Sequence, residues 1–64
     1  MILLTATLDA HGGFTFMIEV SGTIRLVSDD PGHVAKVLGE MGVSEAEALI
    51  KHAKAWGSVE IATE

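Results

Sequence analysis

The sequence predicts an α+β fold: a two-layer sandwich in which an antiparallel sheet of about four strands carries two helices on one face, in the order β-β-β-α-α-β. Three observations lead there. Apolar residues alternate with period two within residues 2–8, 14–20 and 23–27, the period becomes that of an amphipathic helix after Ser28, and alternation returns after Gly57.

Residues 2–8, ILLTATL, place Ile2, Leu4, Ala6 and Leu8 on one parity and Leu3, Thr5 and Thr7 on the other. Residues 14–20, FTFMIEV, alternate Phe14, Phe16, Ile18 and Val20 against Thr15, Met17 and Glu19. Between them, Asp9 to Gly13 reads as a hairpin loop whose glycines supply positive φ. Ser21-Gly22 reads as a tight turn into a third strand, TIRLV, with Ile24 and Leu26 inward and Thr23 and Arg25 outward.

In SDDPGHVAKVLGEMG, Pro31 suits the first helical position and pushes Asp30 to extended geometry, which makes Asp30 the natural N-cap. Asp29 beside it is favoured by the helix dipole. Val34, Val37, Leu38 and Met41 form one apolar stripe, and Gly42 stops the helix. SEAE then reads as a capping box, with Ser44 as cap and Glu47 three residues on. The second helix should bury Ala46, Leu49, Ile50, Ala53 and Trp56, keep Glu47 and Lys51 as an i,i+4 pair on the wet side, and end at Gly57. SVEIAT follows as a fourth strand, with Val59 and Ile61 inward. The sheet face away from the helices is expected to carry Thr5, Thr7, Thr15, Met17, Glu19, Thr23, Arg25 and Glu60.

Residues 1–64 form one domain, near the lower limit for folding without staples, burying only about 60% of the unfolded surface. The 48% apolar fraction suffices for a core, and the absence of cysteine excludes disulfides and thiolate zinc sites. No apolar run approaches the ~20 residues that span a bilayer, and MILLTATL lacks the basic start of a signal peptide. A cytoplasmic protein without membrane contact is expected. Nine acidic side chains against four basic ones give a net charge of −5, which disfavours direct nucleic-acid binding and suits either solubility or a basic partner surface.

Catalysis has no candidate residues. His11-Gly12-Gly13 lies between two strands, whereas a phosphate cradle sits between a strand and a helix N-terminus, and no G-x-S-x-G accompanies it. His11, His33 and His52 are too far apart for H-x-x-x-H or H-x-H ligation. Asp29 and Asp30 are explained by capping, and the segment lacks the alternating acids of a calcium loop. The expectation is a protein with no catalytic residue, no metal and no cofactor.

Several short segments occur in an order that carries more weight than any one of them. These are Gly12-Gly13-Phe14 with Phe16 and Glu19, Asp29-Asp30, Gly42-Val43-Ser44, and Ala53-Lys54-Ala55. Together they resemble a family of small acidic phage anti-CRISPR proteins that inhibit type I-F surveillance complexes. The resemblance spans roughly three quarters of the chain. This first helix is poorer in glutamate than the family's, with Lys36 and only Glu40, and the spacing from the aspartates to Gly42 is longer.

The resemblance implies DNA mimicry in the bacterial host cytoplasm. Carboxylates would occupy the basic DNA-binding surface of a surveillance-complex subunit and block target recognition. Asp29 and Asp30 would carry much of the interaction, with Glu19, Asp9 and Glu40 as further acidic candidates. The inhibitor would be a monomer or a weak homodimer. A small assembly module, dimerising through a sheet edge or the Met17-bearing face, is the alternative expectation.

Overall fold

The computed structural model of the chain describes residues 1–62. Its elements are β1 (Ile2–Leu8), β2 (Phe14–Val20), β3 (Thr23–Ser28), α1 (Pro31–Glu40), α2 (Ala46–Trp56) and β4 (Ser58–Ile61), in the expected order. The strands make one antiparallel sheet ordered β3-β2-β1-β4, so the last strand returns to pair with the first. Thr63, the expected end of the fourth strand, lies outside the described residues; the observed strand stops at Ile61.

Alternation decides which face is buried. The β1–β2 register runs from Ile2↔Val20 to Leu8↔Phe14, which puts the bulky parity of both strands on the same side. There Ile2, Leu4, Ala6, Phe16, Ile18 and Ile61 are buried beneath Val34 and Leu38 of α1 and Ile50 and Ala53 of α2. Helix α1 lies against β3, while α2 lies against β1 and β4. Leu4, Ile18 and Leu38 are wholly buried, and each contributes roughly 1.5–3 kcal/mol relative to exposure. Among the described residues no polar or charged side chain is buried.

The turns follow their residue types. Ser21 and Gly22 have φ of 52° and 82°, the two positive values that a two-residue type I′ hairpin demands. In the first hairpin only Gly12 takes positive φ, at 84°. Gly13 serves differently from the expectation: a Cβ there would lie 3.1 Å from Asp9 Oδ2. Its role is close approach.

Helix α1 forms as read, capped by Asp30 with Pro31 in its first turn. It closes in a Schellman motif: Val43 N–H donates to Leu38 O at 3.0 Å, Gly42 N–H to Gly39 O at 3.0 Å, and Gly42 has φ 86°. Helix α2 departs from expectation. Ser44 is not its cap and the capping box does not form; the cap residue is Glu45, at φ 58° and ψ 36°, without a side-chain cap hydrogen bond. Val43, buried as the apolar anchor of the preceding motif, fixes where the chain enters, and the helix begins one residue late.

Two apolar side chains expected inside are outside. Trp56 is 76% exposed. Ile50 and Ala53 take the side of α2 that faces the sheet, and Trp56 falls on the flank it shares with His52, whose ring centroid is 6.2 Å away. Ile24 is 57% exposed because β3 is not regular. Ile18 pairs with Leu26 but Glu19 pairs with Ile24, which leaves Arg25 as an extra residue in a β-bulge. The bulge reverses the parity upstream of it: Ile24 joins Glu19 on the open face, and Thr23, opposite Val20, joins the helix-side row instead of the outer one. Leu8, the last residue of β1, is likewise exposed.

Candidate functional site

The β3–α1 junction is built from its own sequence. Pro31 holds Asp30 extended, at φ −101° and ψ 106°, and this geometry points its carboxylate back over the first turn. Asp30 Oδ1 accepts from Gly32 N–H at 2.9 Å, and its carbonyl accepts from Val34 N–H at 3.1 Å. Its own N–H donates to Ser28 Oγ at 3.1 Å. The cap therefore uses one carboxylate oxygen. Among the described residues Asp30 Oδ2 and both oxygens of the exposed Asp29 accept no hydrogen bond.

Asp9 sits in the first hairpin and is committed to its loop. Its Oδ1 accepts from His11 N–H at 2.8 Å and from Gly13 N–H at 3.0 Å. This loop and the aspartate pair share one end of the sheet, since Gly13 leads into Phe14 and Ser28 pairs with Phe16.

The other two candidates lie elsewhere. Glu40 is the last residue of α1, about 14 Å along the helix from its start at a rise of about 1.5 Å per residue. Glu19 is near the far end of β2, on the face opposite the helices, paired with Leu3 and Ile24. The fold thus gathers Asp9, Asp29 and Asp30 at one end and separates Glu40 and Glu19 from them.

That end is not uniformly acidic. A shallow groove of roughly 300 Å³ runs between Pro31, Gly32 and Ala35 of α1 and Glu47, Ile50, Lys51 and Lys54 of α2. Lys54 Nζ stands 5.6 Å from the centroid of the Phe14 ring, within cation–π range. Lysines therefore flank the helix start that presents the aspartates. Among the described residues no three histidine, aspartate or glutamate side chains converge to hold a metal ion, and no helix is long and apolar enough to cross a membrane.

No family model, curated protein or solved structure matches the chain. What it can do is therefore read from its own surface.

The open sheet face contains residues that the sequence pattern did not single out. Across the strands one row reads Ile24, Glu19, Leu3, Glu60, and the next reads Val27, Met17, Thr5, Ser58. Ile24 and Val27 are more than half exposed. Leu3 could have been found from its parity opposite Ile2 and Leu4. Ile24 could not, because nothing local marks Arg25 as the site of a bulge.

Proposed function

We propose that this chain is a non-catalytic inhibitor that binds the basic DNA-binding surface of a type I CRISPR surveillance complex and blocks recognition of target DNA. The observation that carries this reading is the β3–α1 junction, where adjacent exposed aspartates precede a helix and only one of their oxygens is used in the cap. Three carboxylate oxygens remain for a partner's lysines and arginines, which form charge-assisted hydrogen bonds to such groups as they do to phosphate. A net charge of −5 steers association toward a basic groove and makes it sensitive to salt. The ordered resemblance to small acidic anti-CRISPR proteins supplies the class of target. Asp29 and Asp30 lead the interface, Asp9 stands at the same end, and Glu19 and Glu40 belong to its periphery.

The test is inhibition of target-DNA binding by a purified type I-F complex, with Asp29→Asn and Asp30→Asn introduced together. Asparagine caps a helix almost as well as aspartate, so the melting temperature should stay near that of the parent. Inhibition should weaken by about tenfold or more, since hydrogen bonds to charged groups contribute roughly 1.5–3 kcal/mol. Full inhibition by the double variant at moderate salt would leave the aspartates as caps only.

A further inference from the structure

The open face of the sheet has a pattern that the aspartate pair does not use. In the row Ile24–Glu19–Leu3–Glu60, apolar and acidic side chains alternate from strand to strand. Neighbouring strands lie about 4.8 Å apart. The two carboxylates are therefore about 10 Å apart, on either side of Leu3. The adjoining row adds Val27 and Met17 beside Thr5. Ile24 and Val27 of β3 are 57% and 59% exposed, against complete burial of Leu4 of β1 and Ile18 of β2 on the helix side of the sheet.

We infer that this face is a docking surface for an amphipathic basic helix of a partner protein, lying across the strands. The pitch of an α-helix is about 5.4 Å, close to the strand spacing, so successive turns of a crossing helix meet successive strands. A helix with apolar and basic residues on alternating turns of one face sets its apolar side chains on Ile24 and Leu3. Its cations then meet Glu19 and Glu60. Residues i and i+7 of such a helix are about 10.5 Å apart, which matches the separation of the two glutamates.

Charge selects this occupant over a second copy. Both charged members of the row are carboxylates, so a copy of the same face brings carboxylates against carboxylates or against Leu3 and Ile24, with a net charge of −5 on each partner. The same sign excludes a phosphate backbone. This surface is independent of Asp29 and Asp30, which lie at the other end of β2 and on the helix layer.

The probe is a synthetic helical peptide with leucine and lysine on alternating turns of one face and alanine and glutamine elsewhere. Its control has the same composition, with lysine and leucine moved to opposite faces. Binding is read by fluorescence anisotropy of the labelled peptide and located by amide shifts in NMR. The ordered peptide should bind about tenfold tighter than its control, and shifts should concentrate on Leu3, Thr5, Met17, Glu19, Ile24 and Val27, as expected for an interface with a few dominant anchors. Glu19→Lys with Glu60→Lys should abolish the difference, and Ile24→Thr, which keeps strand propensity, should weaken binding severalfold. Asp29→Asn with Asp30→Asn should leave it unchanged. That variant separates this surface from the inhibitory one.

Equal binding of the two peptides, or shifts centred on the β3–α1 junction, would overturn the proposal. So would sedimentation showing a concentration-dependent dimer that Ile24→Thr dissociates, since the face would then be covered by a second copy.

Discussion

Helix α1 starts on an aspartate whose side chain closes on Gly32 N–H at 2.9 Å, whereas α2 starts on a glutamate at φ 58° with no side-chain cap. The first start is settled within a few residues: Ser28 holds Asp30, Pro31 fixes the backbone, and the carboxylate finds the amide. The second is settled by what lies behind it. Val43 is buried and its N–H is bound to Leu38 O, so Ser44 and Glu45 must cover the distance from a fixed anchor to the first turn of α2. Glu45 takes the left-handed conformation because the tertiary anchor outweighs a cap. A local signature holds where the chain is free to obey it and yields where packing has already placed the backbone.

Substitutions along these two starts should rank accordingly. Val43→Ala removes two buried methyl groups and the apolar clasp of the Schellman motif, and should cost about 2 kcal/mol. Thermal unfolding would show this as a fall of roughly 10 °C, since about 1 kcal/mol moves the midpoint of so small a domain by 4–8 °C. A loss below about 0.5 kcal/mol would mean that Val43 does not set the second start. Asp30→Ala should cost about 1 kcal/mol, the usual worth of an N-cap, and amide exchange at Gly32 should quicken. Glu45→Gly should stabilise slightly, by about 0.5 kcal/mol, because relief of left-handed strain exceeds the added freedom of the unfolded chain. If that variant instead melts earlier, Glu45 holds its conformation through interactions that outweigh the strain. Ser44→Ala should leave denaturant midpoints within about 0.5 kcal/mol of the parent, as for a surface residue outside any cap. A loss near that of Asp30→Ala would restore Ser44 as the cap and undo the contrast.

Much of the fold was legible for the same reason that α1 was. The strands of the first hairpin state their faces by alternation, and Asp30-Pro31, Gly42 and Gly57 punctuate the helices by their backbone preferences. What escaped depends on non-local geometry. Arg25 becomes an extra residue only through the pairing of β3 with β2, and that displacement puts Ile24 on the open face and Thr23, still exposed, in the helix-side row. Trp56 follows a helical stripe in the sequence, yet it emerges on the flank of α2 where the sheet-facing side is already filled by Ile50 and Ala53. The candidate site divides along the same line. Asp29 and Asp30 are adjacent in the chain and stay together, whereas Glu19 and Glu40 join or leave a cluster according to topology, and here they leave it.

The bulge at Arg25 also shapes one edge of the sheet. β3 and β4 are the two margins of the sheet, and an uncovered margin is where another chain could add a strand. β4 offers only four residues, and β3 is interrupted by an added residue that is itself a cation. Neither margin presents a long flat run, so sideways growth toward a filament is discouraged at both. Leu3, Met17, Ile24 and Val27 thus occupy an open face bounded by two edges ill suited to strand addition.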